Sequence, residues 1–176
     1  MRLISGGQTG VDRAALDVAL EHGIPAGGWC PAGRHSARGR IPSRYPLVET
    51  ETPAYPQRTR QNIRDSDATL VITLGAPAGG TLLTIKLAER LKRPCLVIDL
   101  AVHRIQAARI EILEWLQAVR PAVLNVAGPR ASESPGLGRS VRAILRDVLA
   151  PPQPGSPVTP WPPERQRTQK LPGMDR

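Results

Sequence analysis

Two glycine-rich segments carry the residue types and spacing that hold phosphate. The first is Ser5-Gly6-Gly7-Gln8-Thr9-Gly10, after the apolar pair Leu3-Ile4. The second is Ala76-Pro77-Ala78-Gly79-Gly80-Thr81, after the apolar run from Thr69 to Leu74. An Ala/Leu-rich, helix-forming stretch follows each. Glycine lets backbone N–H groups approach a ligand closely, and a helix N-terminus favours negative charge. Neither segment is a Walker A loop or GxGxxG, and the missing Lys-Ser/Thr pair argues against ATP hydrolysis.

Charged residues stand near both segments. Asp12 and Arg13 fall in the first turn of the first helix, where Asp12 serves either the helix dipole or as a hydrogen-bond acceptor for a ligand or loop amides. Arg58, Asn62 and Asp65 share a helix face by their i, i+4, i+7 spacing. Arg58 and Asn62 can reach an anion there; Asp65 and Asp67 can orient them or cap a helix end. Arg34, Arg38, Arg40 and Arg44 crowd an irregular loop over 30–46, and Arg130 follows Gly128-Pro129. His22, His35 and His103 share no spacing with a cysteine or an acid, and no GxSxG elbow is present. Cys30 and Cys95 form no CxxC, so neither a metal site nor a disulfide framework is expected.

The elements that must position these residues follow from periodicity. Strands are expected at 2–5, 24–29, 69–74, 95–100 and 123–126, with a short extended piece at 47–50. Helices are expected at 11–22, 55–65, 82–92, 103–119 and 137–149. Val11, Ala14, Ala15, Val18 and Ala19 form one apolar face, widened by Leu16 and Leu20, and Gly23 stands where a helix-ending glycine belongs. Pro56 fits a first helical turn, and Thr81 is placed to cap the helix that follows it. The runs at 69–74 and 95–100 read as buried strands of a parallel sheet. Strands alternating with helices give an α/β, Rossmann-like, doubly wound, mostly parallel sheet with helices on both faces. In such a sheet ligands bind outside the carboxyl ends of the strands, which gathers Gly6, Gly7, Thr9, Gly10, Arg34, Gly79, Gly80, Thr81 and Arg130 at one cleft.

The chain has 176 residues, and residues 1–150 read as one ligand-binding domain. The last 26 residues hold eight prolines without apolar periodicity, so 151–176 is expected to be a disordered tail. Net charge is +9, and arginine outnumbers lysine 21 to 3. Removing 151–176, with four basic and two acidic residues, leaves +7. That balance suits an anionic small ligand; with aromatics at 3%, few stacking platforms exist for bases, and nucleic acid is not the expected partner. The start of the chain lacks the apolar segment of a signal peptide, and no run reaches membrane-span length, so the expected location is cytoplasmic, with no membrane partner.

Seven segments, in order, resemble a known family: SGGQTGVDR at 5–13, GWCPAGR at 28–34, IPSRYPL at 41–47, RTRQN at 58–62, DSD at 65–67, GGTLLT at 79–84 and NVAGPR at 125–130. Together they resemble the molybdenum carrier proteins, the circularly permuted YpsA branch of the SLOG superfamily, over about residues 3–149. The resemblance implies a Rossmann-like domain related to LOG-type phosphoribohydrolases and DprA-like domains, assembled as a homo-oligomer. It implies a phosphate-bearing ligand of pterin or nucleotide type, such as molybdenum cofactor, with no obligatory cofactor. The ligand-binding set it implies is Gly6, Gly7, Gln8, Thr9, Arg34, Arg58, Asn62, Gly79, Gly80 and Thr81, with Ser5, Gly10, Arg13, Thr84 and Arg130 beside them. LOG enzymes carry glutamate just after the threonine of the second glycine motif, where this chain has Leu83 and Thr84. Hydrolysis of a nucleotide would need a relocated acid: Asp12, Asp65 or Asp67. Binding is therefore the leading reading, then a phosphoribohydrolase-like activity, then a nucleic-acid or nucleotide-signalling role.

Overall fold

The computed structural model describes residues 1–149; the tail expected at 151–176 lies outside them. The chain runs β1 (Arg2–Ile4), α1 (Val11–Glu21), β2 (Ala26–Gly27), β3 (Trp29–Cys30), β4 (His35–Ser36), β5 (Gly39–Arg40), β6 (Val48–Glu49) and α2 (Tyr55–Arg64). It continues through β7 (Ala68–Thr73), α3 (Gly79–Arg90), β8 (Cys95–Asp99), α4 (Ile105–Val119), β9 (Val123–Ala127) and α5 (Leu137–Val148). Five strands form the central sheet in the order β2-β1-β9-β7-β8, every adjacent pair parallel. All six residues of β7 are buried, as a strand covered on both faces requires. On one face α5 packs against both α1 and α4; α2 and α3 pack against each other on the other. The doubly wound α/β architecture expected from the sequence is the one observed.

The strand order has an internal logic. If the last unit, β9 with α5, were placed first, the same sheet would read 3-2-1-4-5, the order of a dinucleotide-binding Rossmann sheet. The chain therefore traverses that topology from a different starting point. β9 and β7 are neighbours, yet the helices that follow them, α5 and α3, cover opposite faces. A crevice opens at such a switch point, outside the carboxyl ends of the strands.

Several local expectations are corrected. The strand expected at 24–29 is two short pieces: β2 belongs to the central sheet and β3 pairs with β6 in a separate ribbon. Gly28 divides them with φ +130°, where a side chain would collide with the Ser5 carbonyl. Within 30–46, β4 and β5 form a small antiparallel hairpin. Helix α3 begins at Gly79 with Ala78 as its N-cap, so Thr81 lies inside the first turn and does not cap. β8 is an edge strand among the described residues, with no further strand paired to its outer side, and only Ile98 in it is fully buried. Cys95 is accordingly half-buried. On α1 the five predicted core residues and Leu16 are buried, but Leu20 is 41% exposed. α4 starts at Ile105, whose side chain is exposed.

Candidate functional site

A cleft of about 270 Å³ occupies the switch point. The first glycine turn and α1 contribute Gln8 and Asp12; α2 contributes Tyr55, Pro56, Arg58 and Thr59. The start of α3 supplies Gly79 to Thr81 with Leu83 and Thr84, and the end of β9 with the segment after it supplies Ala127, Gly128, Arg130 and Glu133. The two glycine turns, far apart in sequence, thus line one cavity.

Its polar centre is a pair joining α1 to α2. Asp12, 2% exposed, accepts hydrogen bonds from Arg58 Nη1 at 3.2 Å and from the Gln8 amide at 3.2 Å. Burial raises the Asp12 carboxyl above the ordinary aspartate range, and the Arg58 charge and the amides of Gln8 and Gly6 offset this only in part. Gly6 makes the pair possible, since a Cβ there would overlap the Arg58 guanidinium. Arg58 Nε is buried without a hydrogen-bond partner among the described residues.

The opposite wall is the N-terminus of α3. Among the described residues no side chain caps this helix, and the Gly79 and Gly80 amides have no acceptor, while the Thr81 amide donates to the Ala78 carbonyl at 3.1 Å. Gly79 has φ +49°, which favours glycine. Gly80 is different: its φ is ordinary and a Cβ would meet nothing within 4 Å. Glycine lowers helix stability relative to alanine, by up to about 1 kcal/mol at an interior position; Gly80 stands in the first turn of α3, and no packing among the described residues requires it there. Among the described residues it leaves open space in the cleft wall.

Other sequence-predicted residues hold the frame. Ser5 is fully buried and its hydroxyl donates to the Val126 carbonyl at 2.7 Å, joining β1 to β9. Gln8 Oε1 accepts from the Thr9 and Ala37 amides, which ties the β4–β5 hairpin to the first turn. Thr9 is buried and its hydroxyl has no partner among the described residues. Gly7 presents its carbonyl to Arg13 Nε, and Arg13 Nη2 donates to Ser36 Oγ at 2.8 Å. Gly10, φ +92°, lies against Pro129 and Ala131, where a side chain would clash with backbone. Arg34 stands away from the cleft: its guanidinium donates to the carbonyls of Ile41, Pro42, Tyr45 and Leu47 at 2.9–3.1 Å. Asn62 clasps both backbone polar groups of Trp29, at 2.8 and 3.0 Å. Thr84 Oγ1 donates to the Gly80 carbonyl, and Arg130 pairs with Glu133.

Asp65 and Asp67 precede β7 and therefore sit at the opposite edge of the sheet. Asp65 pairs with Arg64 and accepts from Trp29 Nε1 at 2.7 Å, while Asp67 accepts from the Val123 amide at 2.8 Å. Of the three candidate acids only Asp12 lines the cleft. Tyr55, Thr59 and Glu133 line it without having been singled out in the sequence; the one signal for Tyr55 and Thr59 was their place on the helix of Arg58. Neither thiol is activated: burial raises Cys30, and burial with nearby Glu89 pushes Cys95 up to about 11. Among the described residues no cluster of His, Cys, Asp and Glu could hold a metal ion, and no helix is long and apolar enough to cross a membrane.

Comparison with known proteins bears on this site. Residues 3–149 match the model of the circularly permutated YpsA SLOG family. No curated protein matches the chain. Among solved structures the chain is similar to the crystal structure of a "Putative molybdenum carrier protein" from Syntrophus aciditrophicus SB, at 47% identity and a TM-score of 0.83. The match covers 85% of this chain and 94% of that one.

Proposed function

Because the chain belongs to the circularly permutated YpsA SLOG family, we propose that its switch-point cleft binds and holds a phosphate-bearing small molecule of pterin or nucleotide type, with molybdenum cofactor as the leading candidate. Gly80 carries this reading. A helical glycine that costs stability and packs against nothing suits a wall that a ligand's phosphate approaches closely. The uncapped N-terminus of α3 supplies N–H donors, and Arg58 and Arg130 stand on the same cavity to supply charge-assisted hydrogen bonds. The similar solved protein is called a molybdenum carrier, which fits a cofactor as cargo. Calorimetric titration with molybdenum cofactor, ADP-ribose and nucleoside monophosphates tests the proposal. At least one should bind, and Gly80→Ala should weaken it while raising the melting temperature. Failure of all of them to bind the folded protein would overturn the reading.

Asp12 favours a second reading, cleavage of a nucleotide, because a buried carboxyl with a raised pKa in a cleft can donate a proton. Against it, Leu83 lines the cleft where LOG-type enzymes place an acid, and the Thr84 hydroxyl is engaged by the Gly80 carbonyl. Holding the ligand therefore remains the better-supported function.

A further inference from the structure

Behind the wall formed by Gly10 against Pro129 and Ala131 lies a second recess of about 430 Å³, distinct from the switch-point cleft. Three parts of the chain bring four guanidinium groups to it: Arg13 from α1, Arg38 from the tip of the β4–β5 hairpin, and Arg139 and Arg142 from α5. Among the described residues one carboxylate, Asp17, lines it with them. That carboxylate is already engaged, accepting from Tyr45 Oη at 2.7 Å and Arg142 Nη2 at 2.6 Å and lying 3.5 Å from Arg44. The side chains of Arg38 and Arg139 are exposed and form no hydrogen bond or ion pair with any described residue.

The recess is held in place. Gln8 Oε1 accepts the Ala37 amide and Arg13 donates to Ser36 Oγ, so the hairpin that carries Arg38 is pinned to the start of α1. Arg142 is fixed between Asp17 and Glu21. Like charges gathered by rigid elements repel one another unless an anion lies between them. With Arg142 paired to Asp17 and Glu21, the charges of Arg13, Arg38 and Arg139 together still exceed what a single phosphate monoester neutralises, since such a group carries about −1.5 to −2. The volume falls within the range of small-molecule sites, and among the described residues that line the recess no aromatic offers a platform for stacked bases.

We infer that this recess is a second anion site, built for a compact diphosphate group held by Arg38 and Arg139, with Arg13 and Arg142 behind them. It stands independently of the ligand of the switch-point cleft. Titration of the full chain with inorganic pyrophosphate at fixed ionic strength tests it, using Arg38→Ala/Arg139→Ala and, as a control in the other cleft, Gly80→Ala. Both arginines are exposed and unpaired among the described residues, so the double variant should fold normally. Pyrophosphate affinity should fall roughly tenfold or more in the double variant and remain unchanged in Gly80→Ala. Replacing pyrophosphate with ADP distinguishes free diphosphate from a nucleoside diphosphate, and either one weakened by the double variant supports the site. Equal binding by wild type and double variant, or no binding by wild type, would overturn it. So would loss in Gly80→Ala alone, or a single-stranded oligonucleotide that binds more tightly than pyrophosphate and is released by the same double variant.

Discussion

Asp12 combines two opposing demands at a single atom. Its carboxylate orients Arg58 over Gly6, yet burial disfavours the charge that makes the pair. With the folded-state pKa above the unfolded one, the folded protein binds the proton more tightly between the two values. Stability therefore falls as pH rises through that window and recovers as pH falls. Asp12→Asn removes this component. The melting-temperature difference, wild type minus variant, should shift against wild type as pH rises from about 3 to 7. A difference that moves the opposite way would show that Arg58 outweighs burial. The neighbouring lesson concerns Asp65 and Asp67, indistinguishable from Asp12 as residue types. Both end on structural hydrogen bonds at the far edge of the sheet.

At the scale of elements, the segment over 41–47 has little regular structure of its own, and Arg34 organises it. Four carbonyls of that segment accept from one guanidinium, and the residues it shapes include Ile41 and Tyr45, both 1% exposed. Arg34 itself adopts φ +54°, a left-handed conformation that this network maintains. Arg34→Ala would leave the Ile41 and Leu47 carbonyls without a donor among the described residues, while Pro42 and Tyr45 keep backbone amides, and we expect a loss of about 2–4 kcal/mol in chemical denaturation. Lysine would rescue little of it, since an ammonium cannot reproduce the planar fork. Ligand affinity should change far less than stability, because Arg34 does not line the cleft. A loop rich in arginine reads from sequence as an anion site; here its first arginine binds the loop to itself.

For the whole molecule, the order β2-β1-β9-β7-β8 predicts that the fold tolerates a new starting point. The end of α5 lies against the end of α1, where His22 Nδ1 is 2.9 Å from the Leu149 carbonyl. A rearranged chain beginning at Pro121, running to Arg176, continuing from Met1 and ending at Arg120 would begin with β9 and α5. The core contacts of β9 with β1 and β7 do not depend on where the chain starts. Circular dichroism should show the native helix and strand content, with cooperative unfolding and a similar denaturant slope. A molten, non-cooperative species would show that the native starting point is required.

Fold class was determined by the sequence alone, because hydrophobic period is a local property. The continuous run of β7, the amphipathic faces of α1 and α5, and the glycines at strand-to-helix turns each specify their element without reference to the rest. The positions of the five helices and of β1, β7, β8 and β9 were legible to within a few residues for the same reason, whereas the division of 24–29 and the β4–β5 hairpin were not. Tertiary structure alone decided which charged side chains meet. That choice depends on strand order and crossover side, which place Asp12 with Arg58 and Glu133 at the switch point and send Asp65 and Asp67 to the other edge. It also decided that Arg34 would satisfy carbonyls of the 41–47 segment while Arg38, four residues later, has no partner among the described residues and lines a second recess. Residue type sets what a guanidinium can bind; only the folded chain sets which acceptors lie within 3 Å of it.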